Sequence, residues 1–131
     1  MADEAIDSDT IHKVLTSYME RFSAEDKDGW LDLFAEDAWI EDPVGTPRRH
    51  GRDEIGVFWD EVHTVPDSIE LRPLGIQTVV GNEGIFAMQA RASLGGQIFG
   101  VDIIDLMSFN AAGKIATMRA FFDQSTMRPV E

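Results

Sequence analysis

The chain contains no cysteine, so disulfide bonds and thiolate chemistry are excluded. None of its 131 residues belongs to an apolar run of membrane-spanning length, and the acidic N-terminus MADEAIDSDT differs from a signal peptide. Basic residues are scarce: 11 Lys and Arg against 24 Asp and Glu give a formal net charge of −13. Nucleic acids and anionic membranes are therefore disfavoured as partners, because phosphates require Lys and Arg. We expect a cytoplasmic protein that binds neither.

The usual motifs of metal and nucleotide chemistry are missing as well. The three histidines, His12, His50 and His63, lack the spacing of a metal site, and the chain has no phosphate-binding loop, dinucleotide fingerprint or nucleophilic-serine motif. We therefore expect no metal and no cofactor. Any chemistry would use carboxyl groups and a phenol, and the chain has a single tyrosine, Tyr18.

One apolar stretch, Ile98–Asn110, is predicted to be a strand that buries a carboxyl group. Side chains alternate along a strand, and one face here is apolar. Its apolar residues are Phe99, Val101, Ile103, Met107 and Phe109. Asp105 lies in the middle of this face, where a neutral carboxyl at pH 7 needs a pKa raised by about 3 units, or roughly 4 kcal/mol. A neutral acid can donate a hydrogen bond. Alternatively, Asp105 bonds to backbone or to an arginine, or a bulge turns it toward solvent.

The N-terminal region is predicted to be a helix that follows a flexible tail at residues 1–8. Apolar residues recur at helical spacing from Asp9 to Phe22, and Asp9 or Thr10 can cap the helix. Tyr18 lies on the buried stripe. It is either a core tyrosine or a hydrogen-bond donor directed into a cavity.

Two more helices are predicted before residue 66. A short one begins at Asp26 or Asp28, and a longer one lies near Arg52–His63 and ends before Pro66. The apolar residues of the short helix are Trp30, Leu31, Leu33 and Phe34.

Between these helices, Ala38–Asp42 is predicted to be a strand that leads into a stiff loop at residues 43–47. Asp42 stays extended because a proline follows it, and a carboxylate at this strand end is well placed to act as a base. The same residues are also a common turn opening, and Glu41 competes for the role. The basic cluster at residues 48–52 is predicted to be a solvated loop, with ligand binding as the alternative.

The C-terminal half is predicted to form an antiparallel sheet. The strands are 69–80, 85–94, 98–110 and 115–122. Pro73 and Gly75 indicate a bulge or an edge position in the first of them, and Gly95-Gly96 fits a tight hairpin. We predict a single α+β domain in which three N-terminal helices pack on a curved, mixed or antiparallel sheet. The apolar strand faces would line a cavity if the helices leave one, and would otherwise be ordinary core.

The set Tyr18, Asp42 and Asp105 resembles the Δ5-3-ketosteroid isomerases (steroid Δ-isomerases) of the nuclear transport factor two-like superfamily, whose fold is a cone-shaped α+β domain. The resemblance covers the chain from about Ile11 to Phe122. The matching stretches are LFAEDAWIEDPVG (33–45), HGRDEIGVFW (50–59), VDIIDLMSFNAAGKI (101–115) and MRAFF (118–122).

The resemblance implies that Asp42 is the general base, and that Tyr18 and a protonated Asp105 form the oxyanion hole. This family is itself a known case of a carboxylic acid kept neutral at pH 7 to donate a hydrogen bond. Seven apolar positions would surround the steroid: Phe58, Phe86, Met88, Val101, Ile103, Met118 and Phe122.

The resemblance also implies a homodimer, with a small apolar steroid as the ligand. Some relatives support the oxyanion-hole tyrosine with further tyrosines, where this chain has Phe34 and Trp59, and some have Trp where this chain has Phe122. A polyketide cyclase or dehydratase on the same fold, or a non-catalytic domain that binds a small apolar ligand, are the alternatives.

Overall fold

The computed structural model describes residues 6–131, and its first helix, α1 (Ser8–Ser23), buries the stripe that the sequence predicts. The buried residues are Ile11, Leu15, Tyr18, Met19 and Phe22. The carboxylate of Asp7 caps the helix by accepting a hydrogen bond from the backbone N–H of Asp9 at 3.0 Å. The predicted cap at Asp9 or Thr10 is therefore wrong, because the helix begins earlier.

The predicted tail at residues 1–8 extends too far toward the C-terminus. Ile6 packs against the hydrophobic core, Asp7 caps α1 and Ser8 is already helical. Residues 1–5, the rest of this predicted tail, lie outside the described part of the chain.

The second helix, α2 (Lys27–Leu31), is a single turn that Asp26 caps by accepting from the backbone N–H of Gly29 at 3.0 Å. It ends before Phe34, which the sequence assigned to the helix but which begins the first strand. An apolar run of this length cannot by itself separate a buried helix from a buried strand. The third helix, α3 (Gly51–Thr64), matches its predicted position within one residue at each end.

Seven strands form one mixed sheet. They are β1 (Phe34–Glu41), β2 (Arg49–His50), β3 (Ser68–Val80), β4 (Glu83–Leu94), β5 (Gln97–Phe109), β6 (Ile115–Phe121) and β7 (Arg128–Val130). Six are ordered β2-β1-β6-β5-β4-β3, and β7 pairs with β5. Only the β1–β6 pair among these is parallel. With three helices packed on this sheet, the predicted α+β class is confirmed.

The local features of the strands follow from proline and glycine. β3 lies at the sheet edge and its register shifts between Pro73 and Gln77, as predicted. Gly95 and Gly96 have φ values of 56° and 84°, which suit the tight β4–β5 hairpin. β2, β7 and a 3-10 helix at Gln124–Thr126 were not predicted, because two- or three-residue elements carry no periodicity.

The core lies between the helices and one face of the sheet. α1 packs on β3 and β4, while α3 packs on β1. Buried aromatic side chains form a cluster between α1, α2, α3 and β1: Tyr18, Phe22, Trp30, Phe34 and Trp59. Within residues 6–131, no helix is both long and apolar enough to cross a membrane.

Candidate active site

A cavity of about 330 Å³ opens beside the core, between the helices and the inner sheet face. Polar side chains line it at five positions, and every other lining residue is apolar. The five are Tyr18, Asp42, Glu61, Asp105 and Gln124. A mostly apolar cavity with a few converging polar groups is typical of a small-molecule site.

The three predicted catalytic residues come from separate elements and all line this cavity. Tyr18 projects from α1, Asp42 follows the last residue of β1, and Asp105 lies in β5. Because they lie 24 to 87 positions apart in the chain, only the fold brings them together.

The seven predicted substrate contacts divide into two groups. Five of them line the cavity: Phe58, Met88, Val101, Ile103 and Phe122. Phe86 and Met118 are buried in the core outside the lining, and the Phe86 ring packs edge-on against Tyr18 at 6.0 Å between centroids. Phe86 therefore supports Tyr18 from the core, and Met118 is a core residue.

Asp105 is fully buried, and neither carboxyl oxygen has a hydrogen-bond partner among residues 6–131. Its cross-strand neighbours are Phe86 in β4 and Ala120 in β6, both apolar. Burial raises the pKa of this carboxyl well above its usual range, and the charge of Asp42 raises it further. The alternatives of a backbone or arginine partner and of a solvent-facing bulge are thus overturned. The carboxylic acid form of Asp105 is therefore strongly favoured, and its O–H can donate to a ligand.

The phenol of Tyr18 is the second buried donor. Tyr18 is 2% exposed, and burial raises the pKa of its hydroxyl well above the usual value, with the charges of Asp105 and Asp42 adding to the effect. The side chain of Trp30 acts in the opposite direction and lowers this pKa. The phenol therefore stays protonated near neutral pH and can donate into the cavity.

Asp42 is half-buried where β1 ends, and the following loop is tied to the sheet by a 2.8 Å hydrogen bond from Val44 N–H to the Ala120 carbonyl. Burial raises the pKa of Asp42 from 3.8 to about 7, while the guanidinium of Arg49 lowers it. A carboxylate with a pKa near neutrality is suited to removing and returning a proton.

Glu41, the competing candidate base, makes its hydrogen bonds outside the cavity. Its carboxylate accepts from Gly45 N–H at 2.9 Å and from Arg119 Nε at 3.1 Å, and it is absent from the cavity lining. The Gly45 hydrogen bond, followed by Arg119, holds the pKa of Glu41 below its usual value. Glu41 thus anchors the loop, and Asp42 remains as the carboxylate of this pair that faces the cavity.

Sequence reasoning missed the part that Arg49 plays. The predicted solvated loop at residues 48–52 is wrong here, because Arg49 lies in β2 and forms a 2.6 Å ion pair with Glu61, itself a cavity residue. Arg52 also has a structural partner, since it donates to the Phe34 carbonyl at 2.6 and 3.0 Å. Nothing in the local sequence indicates that Arg49 lies close enough to Asp42 to influence its pKa.

The C-terminal segment supplies further lining residues that had no sequence signal, Gln124 and Met127. Across the described residues, no group of three or more His, Cys, Asp or Glu side chains is arranged to hold a metal ion.

The fold and site define a class: an α+β domain whose helices and sheet enclose a small-molecule cavity with carboxyl and phenol groups. A sequence model described as the SnoaL-like domain matches residues 15–118, and the chain belongs to this family. The curated steroid Delta-isomerase of Nocardioides simplex is 37% identical over 95 residues, which are 72% of this chain and 75% of that protein. The resemblance to steroid Δ-isomerases is thereby confirmed.

Solved structures agree on the fold. The epoxide hydrolase/cyclase-like enzyme SalBIII, described for pyran ring formation in the polyether salinomycin, superposes with a TM-score of 0.85 at 22% identity and covers 95% of this chain and 98% of its own. A computationally designed 17-OHP binder gives 0.78 at 24% identity, covering 93% and 97%. At these identities the likeness concerns the fold alone.

Proposed function

We propose that the protein is a steroid Δ-isomerase, which moves the double bond of a Δ5-3-ketosteroid into conjugation with the ketone. The observation that carries this proposal is the buried Asp105, whose carboxyl oxygens have no partner among residues 6–131 and which lines an apolar cavity with Tyr18. A buried polar group without a protein partner is costly, and such a group calls for an explanation such as a catalytic role. The Nocardioides simplex relative, at 37% identity, supports the same reaction class.

In this mechanism Asp42 acts as the only base. Its carboxylate removes a proton from the carbon beside the ketone, which leaves a dienolate with negative charge on the ketone oxygen. The resulting carboxylic acid returns the same proton two carbons further along, so the double bond has moved and the enzyme is unchanged. A pKa of about 7 allows Asp42 to be ionised before the first step and protonated between the steps.

Tyr18 and Asp105 stabilise the dienolate. Both are neutral donors in a cavity lined mostly by apolar residues, so each can donate a hydrogen bond to the oxygen where charge develops. Neither group has to be reorganised during the reaction, because the strand and the helix hold them in place. The neutral, apolar steroid suits the rest of the lining.

The direct test is an assay with 5-androstene-3,17-dione that follows the absorbance of the conjugated enone. We expect Asp42→Asn to lower kcat by on the order of 10²–10⁴-fold or more while the protein stays folded, because the base is removed. Glu41→Gln is the matched control: it changes the adjacent carboxylate, which lies outside the cavity lining, and keeps an acceptor for Gly45. Full activity in Asp42→Asn, or an equal loss in Glu41→Gln, would refute the assignment.

A polyketide cyclase or dehydratase, and a non-catalytic binding domain, are the competing functions on this fold. A panel of steroid enones and polyketide-like substrates separates the enzymes, since the proposal requires turnover of the steroids. Titration with equilenin, a phenolic steroid, distinguishes the isomerase from a domain that only binds its ligand. A shifted ionisation of the equilenin phenol supports an oxyanion hole. No turnover together with no ionisation shift would overturn the proposal.

The same proposal includes a homodimer. Three neighbouring residues on the sheet face opposite the cavity, Ile85, Ile104 and Phe121, are each about two-fifths exposed. An apolar patch across three strands is a typical interface surface. Sedimentation should therefore give twice the chain mass of 14.6 kDa. A cytoplasmic location and a single-domain organisation stay predictions of the sequence.

A further inference from the structure

Trp30 lies in the aromatic cluster behind Tyr18, and its indole nitrogen is an unusual feature there. The side chain is 0% exposed, and Nε1 makes no hydrogen bond within residues 6–131. Indole N–H groups normally find a partner when buried, because an unsatisfied donor retains its full desolvation cost. The surroundings of this nitrogen therefore need an explanation.

The aromatic neighbours of Trp30 offer one acceptor. Ring centroids lie at 4.8 Å for Phe34, 5.0 Å for Trp59, 5.6 Å for Tyr18 and 6.2 Å for Phe22. Of these four side chains only Tyr18 carries an oxygen. The rings of Trp30 and Tyr18 are tilted by 48°, so they are not stacked face to face.

The effect of Trp30 on the phenol agrees with this geometry. As a donor toward the Tyr18 oxygen it favours the ionised form and lowers the pKa, although burial outweighs it. In this structure the two side chains are neighbours without a formed hydrogen bond, since no acceptor among residues 6–131 meets Nε1 in hydrogen-bond geometry. Such contacts in catalytic sites tighten when negative charge appears on the substrate.

We propose that the Trp30 indole N–H donates to the Tyr18 hydroxyl oxygen and is the positioning residue of the oxyanion hole. It fixes the direction of the phenol, and its donation polarises the O–H that points to the ketone oxygen, because linked hydrogen bonds strengthen one another. Trp30 touches no substrate, since it lies outside the cavity lining. This inference rests on the proposed isomerase function for its kinetic consequence, but not for the contact itself.

The kinetic test compares Trp30→Phe with Trp59→Phe. Both variants remove an indole from the same cluster, but Trp59 is stacked on His63 at 3.9 Å and does not line the cavity. We expect Trp30→Phe to lower kcat three- to tenfold with KM unchanged, and Trp59→Phe to stay within twofold of the parent protein. Unchanged kcat in Trp30→Phe, or equal losses in the two variants, would overturn the proposal.

A spectroscopic test needs neither turnover nor a folded Trp30 variant. The chain has three tryptophans, so an indole nitrogen-15 spectrum shows three signals, and Trp39→Phe and Trp59→Phe identify that of Trp30 by elimination. Tyr18→Phe keeps the aromatic ring but removes the acceptor. We expect it to shift the Trp30 proton upfield and speed its exchange with solvent, leaving Trp59 unchanged. An unmoved Trp30 signal would overturn the proposal even if the steroid is turned over, whereas an inactive enzyme with the shift would overturn only the isomerase function.

Discussion

Replacing Asp105 with Asn should stabilise the protein at neutral pH, although it removes a proposed catalytic group. Asp105 is 0% exposed and its carboxyl oxygens have no partner among residues 6–131, so its charged form is strongly disfavoured in the folded state. Asn has nearly the same shape and no charge to lose. Folding of the variant therefore avoids the cost of protonating a carboxyl.

The sign and the size follow from the pKa difference between the folded and unfolded states. The pKa of Asp105 is about 3.8 in the unfolded chain and is raised well above that value by burial, then by the charge of Asp42. At any pH between these two values the folded protein binds one proton more than the unfolded chain. Stability therefore falls as pH rises across that interval, by about 1.4 kcal/mol per pH unit. The Asp105→Asn variant lacks this pH-dependent loss of stability.

The assay is urea unfolding, followed by tryptophan fluorescence, at several pH values from 4 to 8. The parent protein and Asp105→Asn share every other titrating group, so the difference between their unfolding free energies reports Asp105 together with its coupling to Asp42. Asp102→Asn is the control, because Asp102 lies on the same strand with its side chain more than half exposed. We expect the difference curve of Asp105→Asn to rise with pH far more steeply than that of Asp102→Asn. If the unfolding free energies of Asp105→Asn and the parent protein change in parallel with pH, a neutral, buried acid is refuted.

Three further outcomes follow from the site. The kcat/KM for a Δ5-3-ketosteroid should fall as pH decreases through about 7, because Asp42 must be ionised and its pKa is raised to about 7; a limb near pH 4 would contradict this. Arg49→Gln should move that limb to higher pH, since the guanidinium lowers the pKa of Asp42, while Arg72→Gln, an exposed arginine paired with Glu70, should leave it in place. Tyr18→Phe should lower kcat by roughly 10²–10³-fold without loss of folding; activity near the parent value would exclude Tyr18 from the oxyanion hole.

Much of the fold was predictable where the hydrophobic pattern is local. The helical stripe through Tyr18 and the alternation around Asp105 each follow from one segment, and the glycines at 95–96 require their turn. The parallel pairing of β1 with β6 was not specified, because it joins segments about 80 residues apart. Phe34 was misassigned for a related reason: its burial is clear from the sequence, but its strand partner, Ile115, is distant.

The sequence predicted which faces of the strands line the candidate site, but not which residues along each strand reach the cavity. Alternation places Phe86 and Met88 on the same side of β4, yet only Met88 lines the cavity while Phe86 packs behind Tyr18. The positions of α1 and α3 on the sheet decide which residues along a strand line the cavity and which pack against a helix. Arg49 was missed because its influence on Asp42 arises from packing, which no local pattern records.

The proposed mechanism requires that the fold keep Asp105 as a neutral acid in the cavity that Tyr18 also lines. Carbon-13 NMR of side-chain carboxyl groups tests it directly, with the Asp105 signal identified by its disappearance in Asp105→Asn. We expect a chemical shift typical of a carboxylic acid at pH 7. A carboxylate shift at pH 7, titrating near pH 4 as in an exposed aspartate, would contradict it.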